Sequence, residues 1–227
     1  MNRKQKFISN AGKGNYEMVE YLLKFMDIDS SDLKIAIKYA SEEGHYEIVK
    51  LLLSDSSVDP YNDAIIFASR NGHLKVVKLL LSDSRVDPSD VNNLAIRLAS
   101  RNGHLKVVKL LLSDSRVDPS SKNNLAIRLA SRNGHLKVVK LLLNDSRVDP
   151  SDIHNDAIRF ASINRHSEVV KLLLSDSRVF NKYLDIDTNK VDKKFRDILI
   201  KFHKKLSSRN FKFHKNMNKS NWPTFLL

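Results

Sequence analysis

The sequence predicts an all-α solenoid of about six stacked helix–turn–helix repeats that ends in a C-terminal capping helix. The segment AIRLASRNGHLKVVKLLLSDSRVDPS at residues 95–120 recurs at 126–151, with Asn144 in place of Ser113 as the single difference. Glycine–histidine pairs keep the same register at intervals of 28, 31 and 31 residues, beginning at Gly44, Gly72, Gly103 and Gly134. A period of this length indicates an array in which each repeat packs mainly against its neighbours.

This register divides the chain into an array and two C-terminal segments. The predicted repeats are residues 1–30, 31–60, 61–88, 89–119, 120–150 and 151–180. Residues 181–206 are predicted to contain the capping helix, because apolar side chains from Phe195 to Leu206 recur at helical spacing and an array must cover its last apolar face. Residues 207–227 form a basic tail that is rich in aromatic residues.

The first half of a repeat predicts a short helix, here taken from the copy that begins at Asn93. Residues 94–102 carry small alanines that let two helices approach closely. We expect the side chain of Asn93 to accept a hydrogen bond from the free amides at the start of this helix. Gly103 is predicted to end the helix in the left-handed conformation, which costs glycine little.

The second half predicts an apolar helix followed by a polar connection. Residues 105–112 are apolar around most of the helix, as expected for a helix packed between neighbouring repeats. Val117 is the one apolar residue in the connection and is predicted to plug the base of the loop. The Asp118-Pro119 step favours extended backbone and prevents the helix from continuing.

The sequence GHLKVVKLLL after a short AIRLASRN helix resembles the ankyrin repeat over about four-fifths of the chain. The usual Thr-Pro start and Asp-Gly turn of that family are absent, so regular β-hairpins are not expected at the loop tips. The sequence motif SDSRVDPS is similar to one in ankyrin proteins from giant DNA viruses of amoebae. The resemblance implies a non-catalytic scaffold or adaptor that binds a partner protein through a concave groove of first helices and loop tips.

The resemblance also assigns candidate contact residues in this groove. Arginines recur at two first-helix positions, and an arginine column favours an acidic partner because guanidinium binds carboxylate in a bidentate manner. The first-helix candidates are Arg70, Arg97, Arg101, Arg128, Arg132 and Arg159, preceded by the acidic pair Glu42 and Glu43. Between otherwise similar repeats the loop tips differ, which makes them candidates for target preference: Asp90 and Val91, Ser121 and Lys122, Asp152 and Ile153.

Composition and motifs argue against an enzyme, a metal site or a cofactor. The chain has no cysteine and six glycines, and it lacks a nucleophile elbow or a phosphate-binding glycine loop. Five of the eight histidines, His45, His73, His104, His135 and His166, occupy the same place in successive repeats, so their rings are too far apart to share one metal ion. No apolar stretch has the length of a membrane span or a secretory signal, which predicts a monomeric protein of the cytoplasm, or of the host cytoplasm for a viral source.

An alternative function rests on the basic C-terminal tail. Residues 180–227 hold 12 Lys or Arg against 4 Asp or Glu, and they also contain four aromatic residues after position 207. Cations mixed with aromatics favour nucleic acid or an anionic membrane, with the array as a spacer. Such binding weakens steeply with salt and is lost on deleting residues 207–227, whereas a groove complex survives that deletion.

Overall fold

The computed structural model describes residues 3–55 and 62–179, and these residues form helices and no strands. The twelve helices of this described part are α1 (Arg3–Lys13), α2 (Tyr16–Phe25), α3 (Ser30–Glu43), α4 (Tyr46–Leu53), α5 (Asp63–Asn71), α6 (Leu74–Leu81), α7 (Asp90–Arg101), α8 (Leu105–Leu112), α9 (Ser121–Arg132), α10 (Leu136–Leu143), α11 (Asp152–Ile163) and α12 (Ser167–Leu174). The all-α helix–turn–helix prediction is confirmed. The predicted capping helix and the tail lie outside the described residues.

The chain divides into two compact units between residues 122 and 123. In the first unit the first helices of successive repeats, α1, α3, α5 and α7, pack in series, and so do the second helices, α2, α4, α6 and α8. In the second unit α12 packs against α11 and α10. The first unit therefore has two helical layers, with one helix of each repeat in each layer.

Small buried residues and a glycine define the first helix of each repeat. Ala95, Ala99 and Ser100 are buried in α7, in agreement with the predicted close approach of helices. Gly103 has a φ of 78°, which confirms the left-handed conformation expected of it. The amide of His104 then donates to the Ala99 carbonyl at 3.0 Å, a Schellman closure that satisfies a free carbonyl at the helix end.

The second helix and its connection also follow the sequence pattern. Val107, Val108 and Leu111 are buried in α8. Without a glycine, the helix ends where the hydroxyl of Ser113 donates to the Leu110 carbonyl at 2.7 Å. Val117 is 1% exposed, which confirms that it fills the base of the loop.

The Asp-Ser-Arg turns after α6, α8 and α12 each fasten one repeat to the repeat before it. Arg116 donates to the Asp114 carboxylate through Nε at 2.9 Å and Nη2 at 2.6 Å. Its Nη1 also donates to the Val86 carbonyl of the preceding repeat at 2.8 Å. Arg178 repeats this arrangement in the second unit, with the Val148 carbonyl at 2.7 Å. The arginine of SDSR is therefore an inter-repeat clamp whose fork geometry suits the bidentate pair.

This clamp predicts a loss of stability in acid. Hydrogen bonds from Arg116 hold the pKa of Asp114 below its usual value, and a carboxylate with a lowered folded-state pKa stabilises the fold above its unfolded pKa of about 3.9. That stability is lost as the pH falls through the folded-state value. We expect Asp114→Asn to lower the free energy of unfolding by about 1 kcal/mol at pH 7, because the partly exposed pair is screened by solvent.

Urea unfolding followed by circular dichroism at pH 7 and pH 3 measures this effect. The urea midpoint of Asp114→Asn should lie below that of the wild type at pH 7, and this difference should shrink at pH 3. Ser115→Ala, in the same turn, should leave the urea midpoint unchanged at both pH values. A difference of equal size at both pH values would contradict the assignment.

The prediction that Asn93 caps the first helix is wrong. Asn93 lies in the left-handed region with a φ of 60°, and its Oδ1 accepts from the Asp118 amide in the connection that follows the second helix. Asn62 and Asn124 bind the equivalent amides of Asp87 and Asp149, each at 2.8 Å. The asparagine thus joins the start of its repeat to the loop that ends it, across 25 residues of chain.

In one repeat the residue that ends the first helix is not glycine. Arg165 occupies the place of Gly103 and Gly134 but still adopts a φ of 61°, which costs a residue with a Cβ about 1 kcal/mol. We expect Arg165→Gly to raise the free energy of unfolding by about 1 kcal/mol. Thermal unfolding tests this, with Arg165→Ala as the control that removes the same side chain and keeps the strain. Equal thermal midpoints for the glycine and alanine variants would show that the left-handed backbone at residue 165 does not lower the stability.

No helix of the described residues is long and apolar enough to cross a membrane.

Candidate protein-binding groove

The first two candidates, Glu42 and Arg70, form one ion pair. Nη2 of Arg70 lies 2.6 Å from Oε1 of Glu42. The guanidinium also lies over the ring of Phe67, at 4.7 Å from its centroid. From the sequence, the acidic pair Glu42 and Glu43 is expected to precede the arginines along the groove. In the structure, Glu42 and Arg70 instead form an ion pair that largely neutralises both charges. Glu43 is exposed on the same helix.

Arg97 is held differently from Arg70. Its Nη2 donates to the Val91 carbonyl at 2.7 Å, which ties α7 to the loop tip that precedes it. Its Nε is buried without a hydrogen-bond partner. Burial lowers the pKa of Arg97, although a guanidinium stays charged at neutral pH. No carboxylate pairs with Arg97 among the residues that the structure describes, so its charge is not compensated there.

In the second unit, one aspartate binds two of the candidate arginines. Oδ2 of Asp156 lies 2.7 Å from Nη2 of Arg128, and its Oδ1 lies 2.7 Å from Nη1 of Arg159. The Asp156 side chain is 8% exposed and that of Arg128 is 16% exposed. A buried carboxylate of this kind requires its partners, so Arg128 is mainly structural.

The remaining two arginine candidates are exposed. Arg101 lies at the end of α7. Arg132 lies at the end of α9, with its guanidinium 5.6 Å from the ring centroid of Phe160. The structure therefore separates Arg70, Arg128 and Arg159, which are bound by carboxylates, from Arg97 and Arg132, which form no such ion pair within the described residues.

Three loop tips, those at the start of α7, α9 and α11, each contain a run of three left-handed residues. These runs are Val91–Asn93, residues 122–124 and residues 153–155, with φ between 47° and 63°. Left-handed backbone costs a β-branched residue such as Val91 or Ile153 more than it costs asparagine. The carboxylates of Asp90 and Asp152 offset part of this cost, since each accepts from the amide of the next residue at 2.7 Å.

The residues in these turns differ in their exposure to solvent. Val91 is 50% exposed, and Lys122 is exposed as well. Ile153 is half-buried, and Asp152 also accepts from Nδ2 of Asn124 at 2.9 Å. Ser121 donates to the Asn92 carbonyl at 2.9 Å. Val91 and Lys122 are thus presented to solvent on a constrained backbone, whereas Ile153 is half-buried.

The histidines that recur in the repeat contact the preceding repeat. Nε2 of His104 lies 2.8 Å from the Arg70 carbonyl, and Nε2 of His73 lies 2.8 Å from the Glu42 carbonyl. The rings therefore bridge one first helix to the next repeat. Residues 3–55 and 62–179 contain no group of three or more histidine, cysteine, aspartate or glutamate residues that suits a metal ion.

Sequence reasoning missed two important groups. Asp156 binds two candidate arginines, and the signal for it was the change from Leu94 and Leu125 to an acidic residue at the same repeat position. The clamp arginines of the SDSR turns were missed because a polar loop usually predicts solvated charges. Their constant spacing of two residues from an aspartate was the available signal.

Comparisons with known proteins place these helices in a family. A family model described as ankyrin repeats in three copies matches residues 7–63, 54–123 and 96–190. An ankyrin repeat family protein from Legionella pneumophila has a similar structure, with a TM-score of 0.56 at 18% sequence identity. The match covers 97% of this chain and 66% of that chain, so this chain spans less than two thirds of the other protein. No curated protein matches the chain.

Proposed function

Because this chain belongs to the ankyrin repeat family, we propose that it is a non-catalytic scaffold or adaptor that binds a partner protein through its candidate groove. Ankyrin repeats generally mediate protein–protein interaction and are typically not catalytic. In the first unit the groove consists of Arg97 and Arg101 on α7 and of the loop tips at Val91 and Lys122. Its partner presents carboxylates.

The environment of Arg97 is the observation that carries this proposal. Its guanidinium is partly buried, lacks a carboxylate and is fixed to the loop tip through the Val91 carbonyl. A carboxylate of a partner would compensate this charge. Arg101 lies four residues further along the same helix, so both reach the same side of α7.

The backbone around the candidate groove supports binding without large rearrangement. Histidine-to-carbonyl bonds and arginine clamps connect neighbouring repeats in the first unit. A surface that is already ordered loses little conformational entropy on docking, which leaves more of the contact energy for affinity. The constrained tips add specificity, because the exposed residues they present differ: Val91 in one tip and Lys122 in the next.

The proposal includes a monomeric protein that acts in the cytoplasm. The SDSRVDPS motif supports a giant DNA virus of amoebae as its source, and host cytoplasm as the place where it meets the partner.

Affinity capture from the source cells, or from the amoebal host, tests the groove with four baits. These are the full chain, the chain without residues 207–227, the groove variant Arg97→Glu/Arg101→Glu and the matched variant Lys106→Glu/Lys109→Glu. The two double variants have the same change in charge, but the lysines lie on α8 instead of the first helix. We expect one protein to be retained by every bait except the groove variant.

Two results would overturn the groove assignment. One is capture of the same protein by the groove variant at the wild-type level. The other is recovery of nucleic acid or lipid that depends on residues 207–227, because it would assign binding to the tail.

A further inference from the structure

Two second helices of the first unit, α6 and α8, carry exposed positive charge. Helices α6 and α8 have the same sequence, LKVVKLLL, with two lysines and no acidic residue. Lys75, Lys78, Lys106 and Lys109 are exposed and form no ion pair within the described residues. By contrast, Arg70, Arg85 and Arg116 of this unit each bind a carboxylate.

A cavity lies on this lysine-bearing face. It has a volume of about 430 Å³ and is lined by Tyr46 of α4 and by Lys75, Lys78, Leu79 and Ser82. Tyr46 and Leu79 are half-buried, whereas both lysines are exposed. The site therefore combines an apolar surface with a cationic rim.

Tyr46 distinguishes this cavity from the equivalent places in other repeats. The residues at its position in α6 and α8 are Leu74 and Leu105. A tyrosine provides a broad apolar ring and a hydroxyl that can donate to a carboxylate.

Charges on the neighbouring helices bear on the choice of anionic ligand. Glu47 follows Tyr46 on α4, and Glu17 and Glu20 lie on α2, the next helix in that layer. An extended polyanion would meet these carboxylates on the α4 side of α6, but on the other side it would meet Lys106 and Lys109 of α8. The apolar surface of Tyr46 and Leu79 therefore distinguishes the ligand, because a short acidic peptide with an apolar side chain uses both this surface and the lysines.

We propose that the face formed by α4 and α6 binds a short acidic segment of a partner protein. Carboxylates of the segment pair with Lys75 and Lys78, and one apolar side chain packs against Tyr46 and Leu79 in the cavity. This surface is separate from the candidate groove, which uses first helices and loop tips. Two faces of the same unit then serve two contacts.

Fluorescence anisotropy with the full chain tests this site directly. The probe is a fluorescein-labelled hexapeptide with a central leucine and phenylalanine and two glutamates on each side. We expect binding in the micromolar range, weakened about tenfold or more by Lys75→Glu/Lys78→Glu and by about tenfold in Tyr46→Ala. Lys75→Gln/Lys78→Gln should also weaken it, and circular dichroism checks that each variant is folded.

The identical sequence of α8 supplies the matched control. Lys106→Glu/Lys109→Glu makes the same change in charge one repeat further on, where Leu74 replaces Tyr46, and should weaken binding less than about threefold. The groove variant Arg97→Glu/Arg101→Glu should bind the peptide like wild type, which separates this proposal from the groove assignment.

Several results would overturn the proposal. They are no binding, equal losses for the α6 and α8 variants, or equal affinity for a hexaglutamate peptide, because the last two indicate diffuse attraction without use of the cavity. Tighter binding of a single-stranded oligonucleotide with the same charge would assign the face to nucleic acid.

Discussion

Asp156→Asn should lower the free energy of unfolding by about 3 kcal/mol, because it removes the carboxylate between two arginines. In the wild-type protein, Nη2 of Arg128 lies 2.7 Å from Oδ2 of Asp156. The Arg128 side chain is only 16% exposed, so in the variant its charge would stay buried without a carboxylate partner. A buried cation that loses its partner keeps its desolvation cost and loses the attraction that offset it. Thermal unfolding should show a fall of several degrees.

The chain provides a control at the same repeat position. Asp63 binds Lys38 at 3.3 Å, but the two side chains are 30% and 31% exposed. Asp63→Asn should therefore cost less than about 1 kcal/mol. Similar losses for Asp63→Asn and Asp156→Asn would contradict the distinction between exposed and buried pairs.

Gly72→Ala should also cost about 3 kcal/mol, from two separate causes. Gly72 has a φ of +81°, which strains any residue with a Cβ. A Cβ at this place would lie 2.5 Å from Nδ1 of His104. The ring must then move, and it loses the 2.8 Å contact of its Nε2 with the Arg70 carbonyl. The contact between the two repeats is weakened as a result.

A double-mutant cycle separates these causes. In the His104→Ala background the ring is absent, so Gly72→Ala should cost only the backbone strain of about 1 kcal/mol. Urea unfolding of the four proteins measures the coupling. Equal costs of Gly72→Ala in both backgrounds would show that the close approach of the ring does not matter.

The features that follow from local pattern could be predicted from the sequence. Val107, Val108 and Leu111 are buried because the second helix is apolar on several sides. Gly103 is left-handed because helices commonly end this way. Val117 is buried because it is the single apolar residue in a polar loop. Each of these outcomes depends on residues within one repeat.

The features that depend on register between repeats could not be predicted. Asp156 and Arg128 are 28 residues apart, and their contact follows from how successive first helices align. The left-handed turn at Val91 was hidden because β-branched residues rarely adopt positive φ. Asn93 was misassigned since the amide it binds belongs to a loop 25 residues away.

These contacts change the interpretation of the charged residues. The sequence draws attention to the arginine columns, yet carboxylates within the chain bind Arg70, Arg128 and Arg159. The proposed groove contact therefore rests on Arg97, which is fixed to the Val91 tip, with Arg101 one turn further along the same helix. The lysines of α6 form a second cationic surface beside the Tyr46 cavity.

Hydrogen–deuterium exchange of the complex with the captured partner tests the groove assignment most directly. We expect slower exchange on binding in residues 90–101, which include the Val91 tip, Arg97 and Arg101, and unchanged exchange in α8 (Leu105–Leu112). Protection confined to the second helices or to residues 207–227, with residues 90–101 unchanged, would contradict the groove as the partner-binding surface.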